Sequence, residues 1–158
     1  MILRKAMTGM LKGSCRCGAV SYEIASSGDL PVYCCHCLDC QKWSGSAFAE
    51  QGVVREDAIK IEGPVTRSPV TSRQGGQSVQ YVCSICHSRI YSTNPARPGI
   101  ALLRAGTLEK TDELRPRAHV WIKRKQPWVT LPSDVPAFEE APSPEEIKAL
   151  LRPVPNGN

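Results

Sequence analysis

Eight cysteines in a chain of 158 residues fall, with none left over, into three clusters: Cys15-Arg16-Cys17, Cys34-Cys35-His36-Cys37-Leu38-Asp39-Cys40 and Cys83-Ser84-Ile85-Cys86. Sulfurs two or three residues apart can be aimed at one point, so a shared ligand would force distant segments of the chain together. Cysteine is about one residue in twenty, below the density of a secreted disulfide scaffold and above that of an ordinary cytosolic enzyme. The first thirteen residues, MILRKAMTGMLKG, are basic, but Arg4, Lys5 and Lys12 interrupt the apolar ones, which leaves no export signal. The expectation is a reducing cytoplasm. There, closely spaced cysteines serve as metal ligands or redox centres rather than as structural disulfides.

The run from 14 to 24, SCRCGAVSYEI, alternates as a strand does, and on a strand Cys15 and Cys17 point the same way. Gly18 then removes a side chain that would crowd the two sulfurs. A tight knuckle from Cys83 to Cys86 presents two more. Cys15, Cys17, Cys83 and Cys86 can together close a tetrahedral structural zinc site that clamps the first strand to a distant one. The middle cluster differs, because Cys35, Cys37 and Cys40 supply three thiolates from one loop too short to wrap a fourth ligand around the ion. An open position is the pattern of catalytic zinc.

Two other readings stay open at the level of spacing. Cys37, Cys40, Cys83 and Cys86 could form one four-cysteine ribbon, leaving Cys15, Cys17 and Cys35 as redox or packing thiols. Alternatively Cys34, His36 or a more distant residue fills the fourth position and closes the second zinc. Cys34, outside the regular spacing, reads as a small buried hydrophobe. Seven thiolates and two Zn²⁺ per chain would lower the formal charge from +5 to about +2. A three-thiolate zinc is itself anionic and a softer Lewis acid than a three-histidine one, and so suits a sulfur substrate.

The rest of the chain reads as one mainly β domain. Short runs rich in Val, Ile, Tyr and Thr lie at 32–35, 47–54, 58–61, 79–82, 100–105 and 119–122, punctuated by Gly63-Pro64, Gly75-Gly76, the 95–99 stretch and Pro127. The one helix signal is late: Ser143-Pro144-Glu145-Glu146 forms a capping box with proline at the first helical position, followed by Ile147, Leu150 and Leu151. No apolar run approaches a membrane span, so no membrane partner is expected. The expected division is an N-terminal extension over 1–12, a zinc domain over 13–139, and a C-terminal helix and tail over 140–158.

Taken in order, Gly13-Ser14-Cys15-Arg16-Cys17-Gly18-Ala19-Val20, Cys35-His36-Cys37-Leu38-Asp39-Cys40 and Cys83-Ser84-Ile85-Cys86 resemble the glutathione-dependent formaldehyde-activating enzyme family, which includes the centromere protein V domain. Gly106-Thr107-Leu108-Glu109, PRAHVW at 116–121, Pro127-Trp128 and DVPAF at 134–138 continue the pattern, so the likeness runs from about 13 to 139. It implies an Mss4-like zinc-containing β fold, a structural zinc on Cys15, Cys17, Cys83 and Cys86, and a catalytic zinc on Cys35, Cys37 and Cys40. It also implies a carbon–sulfur lyase that joins glutathione and formaldehyde into S-hydroxymethylglutathione, or runs that step backwards. Two positions depart from the pattern. His87 stands where the family usually has glycine, which strains the knuckle if positive φ is needed there. Gln41 stands where arginine is frequent, and Lys42 is placed to compensate for the missing cation.

His119 and Trp121 in Ala118-His119-Val120-Trp121 should share one strand face. His119 then either meets a substrate carboxylate or moves a proton near the open zinc position, or is a partly buried histidine satisfied by backbone. His36, between two ligands, should point outward. The tryptophans read as core or rim aromatics. Lys123-Arg124-Lys125 is the densest basic run, too small a footprint to expect nucleic acid as a partner. The leading expectation is therefore an enzyme acting on a small thiol and an aldehyde, with His119, Trp121 and Lys42 as candidate substrate-binding residues. The rival is a non-enzymatic module with two structural zincs that binds a macromolecule.

Overall fold

The computed structural model describes residues 9–26 and 29–152; the start of the chain, read above as carrying no export signal, and the tail after Arg152 lie outside the described residues. Along the described chain run β1 (Gly9–Ser14), β2 (Ser21–Ser26), β3 (Val32–Cys35), α1 (Leu38–Ser44), β4 (Ala49–Arg55), β5 (Ile59–Glu62), β6 (Val65–Thr71), β7 (Gln77–Cys83), β8 (Arg89–Thr93), β9 (Ile100–Arg104), β10 (Pro116–Val120) and α2 (Pro144–Leu151). A mainly β fold with a short C-terminal helix is thus what forms. The strands make a three-stranded sheet in the order β1-β2-β5 and a seven-stranded sheet in the order β10-β3-β4-β9-β8-β7-β6. Strand pairs are antiparallel except β10 against β3.

The alternation over 14–24 belongs to a hairpin rather than to a single strand. β1 pairs with β2 from Gly9↔Ser26 to Ser14↔Ser21, which puts Cys15 and Cys17 in the connecting turn. Cys15 N–H donates to the Val20 carbonyl at 2.9 Å and Gly18 N–H to the Cys15 carbonyl at 3.1 Å, closing the turn. Gly18 has φ +79°, and a Cβ there would meet nothing within 4 Å. Glycine is needed for the sign of φ, not to clear space for sulfur. Close approach does operate between β5 and β6: at Gly63, with φ +104°, a Cβ would lie 2.1 Å from the Ala19 carbonyl oxygen.

Tyr22, Ile24, Val20, Val32, Ile90 and Leu103 are essentially solvent-free and form the main core. Burying each such side chain is worth about 1.5–3 kcal/mol. A second apolar cluster gathers Cys35, Cys37, Cys40, Ala49 and Val120, with Tyr33, Trp121 and Phe138 against it. β6 escapes a reading by alternation because Pro69 interrupts it; proline is tolerated there since β6 is the edge strand of its sheet. α2 carries the expected capping box, with Ser143 Oγ accepting from Glu146 N–H and the Glu146 carboxylate accepting from Ser143 N–H. Among the described residues no helix is long and apolar enough to cross a membrane.

Candidate metal centres

The β1–β2 turn and the β7–β8 knuckle meet through Cys15, Cys17, Cys83 and Cys86, whose sulfurs all lie within 4.8 Å of one another. Four sulfurs at the zinc–sulfur bond length of about 2.3 Å form a tetrahedron with edges of about 3.8 Å. Here Cys15 Sγ and Cys17 Sγ are 3.5 Å apart, and Cys17 Sγ and Cys83 Sγ 3.9 Å. The donor set therefore fits zinc in type and spacing. Val20 N–H donates to Cys15 Sγ at 3.2 Å, and Ser88 Oγ lies 3.2 Å from Cys86 Sγ. The Ser88 contact leads in holding the Cys86 thiol down to about 5, so its thiolate is favoured. His87 adopts φ +61°, so the knuckle does use the left-handed conformation, and its N–H donates to the Cys83 carbonyl at 3.0 Å.

Cys35, Cys37 and Cys40 form a separate buried group, again with all sulfurs within 4.8 Å of one another. Cys83 and Cys86 are committed to the first group, so the single ribbon is not formed. The middle segment is also not a loop. Cys35 ends β3, Cys37 is the N-cap of α1, and its Sγ accepts from Cys40 N–H at 3.4 Å. Gly45, with φ +64°, stops the helix after two turns. A helix start brings residues 37 and 40 onto one side, and the strand end supplies the third sulfur. Hydrogen bonding from Cys35 holds the Cys37 thiol down to about 2, while the same contact pushes Cys35 up. Three thiols sharing so little space favour thiolate at one of them, and this donor set fits a soft cation such as zinc. Among the described residues, no fourth Cys, His, Asp or Glu donor joins this group. Cys34 is buried with its thiol pushed up to about 12 by burial, as suits a packing cysteine.

Two polar residues that the motifs did not pick out stand beside this group. Register places Tyr33 opposite Gln51 and Gln51 opposite Arg104, a row across β3, β4 and β9 next to the Cys35–Ala49 pair. Gln51 Nε2 donates to Cys40 Sγ at 3.6 Å. The Arg104 guanidinium is buried, with no hydrogen-bond partner at Nε or Nη1; burial lowers its pKa, and the neighbouring Cys40, Cys35 and Cys37 thiolates work against that lowering. The sequence signal was a polar intrusion on an apolar stripe, since Arg104 shares its strand parity with Ile100 and Leu102.

The histidines correct the sequence expectation. His36 does not point outward: it is fully buried, and its Nε2 lies 3.0 Å from His119 Nδ1, with Phe48 packed alongside. His36 Nδ1 has no partner. Burial holds His36 down to about 4 and lowers His119 as well, so both rings are neutral near pH 7. His119 and Trp121 do not share a face either. Trp121 leaves β10 with φ +60°, which turns its ring onto the Cys35 side with Val120 while His119 faces His36. Lys42, in α1, lies in a shallow groove with Gln126 and Trp128. Gln41 beside it is occupied, donating at 2.8 Å to the carbonyls of His36 and Arg124. The basic run is likewise engaged: Lys123 pairs with Glu140 and sits over the Trp121 ring, and Lys125 Nζ donates to the Val129 carbonyl at 2.8 Å. Next to Cys35 lies a cavity of about 450 Å³, bounded also by Tyr33, Val120, Trp121 and the α2 residues Ile147 and Leu150.

The sequence model of the family described as glutathione-dependent formaldehyde-activating enzyme matches residues 10–124, which hold all seven cysteines of the two groups. The chain belongs to this family. It is 28% identical over 130 residues to a protein of Halomonas elongata provisionally named as a glutathione-dependent formaldehyde-activating enzyme, covering 78% of this chain and 82% of that one. A crystal structure of a Rhodobacter sphaeroides protein is similar over 67% of this chain and 92% of its own, at a TM-score of 0.49 and 20% identity. The formaldehyde-activating family match ends before α2, so the helix bounding the cavity lies outside the matched span.

Proposed function

We propose that the protein is a zinc-dependent carbon–sulfur lyase that joins a glutathione-like thiol to formaldehyde or a related small aldehyde, or cleaves the resulting S-hydroxymethyl adduct. In the forward direction the S–H bond breaks, a C–S bond forms at the carbonyl carbon, and the proton ends on the carbonyl oxygen. The reading is carried by the asymmetry of the two cysteine groups. One has four sulfurs, the other three with no fourth protein donor among the described residues. We assign Cys15, Cys17, Cys83 and Cys86 to a structural zinc and Cys35, Cys37 and Cys40 to a catalytic one, two zincs per chain. Cys35, Cys37 and Cys40 would hold a zinc ion, which would supply Lewis acidity and favour the thiolate form of the thiol substrate.

The chain's own groups do the rest. Cys35, Cys37 and Cys40 grip from one side. Arg104 offsets the negative charge that accumulates when a further thiolate arrives, and Gln51 orients Cys40 through its hydrogen bond. Trp121 and Val120 wall the reacting side against water. Lys42, in its groove with Trp128, is our candidate for holding a carboxylate of the thiol. His119 is a positioning residue acting through His36, which lies between two of the ligands. The thiol-rich donor sets need a reducing compartment, and we place the protein in the cytoplasm.

The test is exchange between glutathione, formaldehyde and their adduct, followed by NMR with and without zinc-loaded protein. Acceleration by the protein, lost in Cys40→Ala while circular dichroism stays native, is the expected result. No acceleration with any of several thiols would leave a two-metal β module with a binding role.

A further inference from the structure

The cavity beside Cys35 is larger than the smallest carbonyl substrate needs. Its volume of about 450 Å³ is in the range of sites for small organic molecules, whereas formaldehyde has no body beyond its reacting carbon. Its walls are hydrocarbon: Val32 and Val53 on the strands, Ile100 and Leu102 from β9, and Ile147 and Leu150 from α2. Two charged side chains, Arg97 and Arg117, also line it. Arg117 donates to the Leu150 and Arg152 carbonyls at 2.9 and 2.8 Å and to Asp29 at 3.1 Å, so its guanidinium ties the end of α2 down rather than facing a ligand. Arg97 is exposed. Tyr33 is pushed up by burial and stays neutral.

We propose that this cavity seats the hydrocarbon body of the carbonyl partner, so that the substrate class includes medium-chain or aryl aldehydes that react at the Cys35, Cys37 and Cys40 centre. The inference rests on the lyase reading above. Within it, the thiol is the charged component, and stripping water from its carboxylates against these walls would cost several kcal/mol per ion. The aldehyde is the component with a body that can be hydrocarbon. Cys35 belongs both to the donor group and to the cavity wall, so a chain lying in the cavity would have its reactive end at that group. The roof, α2, falls beyond the span matched by the family.

The binding test needs no turnover. In Trp43→Phe/Trp128→Phe protein, zinc-loaded and full-length, Trp121 is the remaining indole and reports on the cavity. It is titrated with 1-butanol, 1-hexanol and 1-octanol, unreactive relatives of the aldehydes. Each added methylene should tighten binding about fourfold until the space is filled. Leu150→Phe, which fills the cavity from α2, should abolish the increment, and Ile147→Phe serves if that variant misfolds. A flat response along the series overturns the inference whatever the catalytic result. In the kinetic arm, glutathione is paired with alkanals of rising length and formaldehyde with alkanethiols of rising length. Falling KM along the alkanals supports the proposal; a gain confined to the alkanethiols overturns it, because the occupant is then the thiol. Alkanol binding that lengthens as expected, with no acceleration of any adduct, would defeat the lyase reading and leave the hydrocarbon site standing.

Discussion

The pairing of His36 with His119 can be separated from a direct role in the chemistry by a double-substitution cycle. Both rings are buried and share one hydrogen bond of 3.0 Å through His36 Nε2, and His36 Nδ1 has no partner. His119→Leu keeps the volume but strips His36 of its remaining contact, orphaning a polar group at a cost of about 1–3 kcal/mol. His36→Leu does the same to His119. Replacing both removes both polar groups, so the double variant should be more stable than the sum of the singles by at least about 1 kcal/mol. At about 2–4 °C per kcal/mol for a chain of this size, each single variant should melt roughly 2–12 °C lower. The assay is urea unfolding of zinc-loaded protein at pH 7.5, with adduct exchange measured on the same samples. A histidine that handled the reacting proton would instead lose about 10²–10⁴ in kcat with stability unchanged, and the double variant would recover nothing. Strictly additive losses, or single variants within about 0.5 kcal/mol of the parent, would refute the brace.

Because burial holds His36 at about 4 and lowers His119, the unfolded chain takes up these protons first as pH falls. The contribution is complete above about pH 6.5 and lost toward about pH 4, and the stability gap to the His36→Leu/His119→Leu variant, which keeps every cysteine, should close or invert over that window. Cys83→Ala should unfold the chain by circular dichroism where Cys40→Ala does not, since a structural zinc contributes about 10–16 kcal/mol, comparable to or above the whole stability of a domain; native Cys83→Ala protein would contradict this. His87→Gly should gain about 1 kcal/mol in urea unfolding, because glycine adopts φ +61° without the Cβ penalty, and no gain would mean that the knuckle holds His87 by other contacts.

What the sequence disclosed was the part governed by short-range spacing. A Cys-x-Cys, a Cys-x-Cys-x-x-Cys and a Cys-x-x-Cys each confine their sulfurs within a few ångströms, so the grouping into four and three follows from local geometry and the family pattern. Parity fails at two places where φ reverses. Alternation puts Cys15 and Cys17 on a strand, but β1 ends at Ser14 and the chain turns through Gly18. Alternation gives Trp121 the face of His119, but its φ of +60° carries it to the other side. A place between two ligands argues for an outward His36. Its burial depends on β10 lying beside β3, a contact between segments some eighty residues apart that no local pattern encodes. Arg104 shows in the sequence only as a polar intrusion on an apolar stripe, since its counter-charges come from a different strand and helix.

The same distinction between local and distant contacts separates the two cysteine groups in energetic terms. Cys15 and Cys17 come from the turn of the three-stranded sheet, Cys83 and Cys86 from the end of a strand in the seven-stranded one. An ion there closes a long loop and ties two sheets, which is where a cross-link removes the most freedom from the unfolded chain. Cys35, Cys37 and Cys40 lie within six residues at a junction already fixed by β3, β4 and α1, so an ion there closes almost no loop and little folding energy depends on it. A metal that the fold does not need for closure can exchange a ligand without cost to the scaffold. That difference, together with the hydrocarbon cavity meeting Cys35, is the reason to place the chemistry at the three-sulfur group and the clamp at the four-sulfur one.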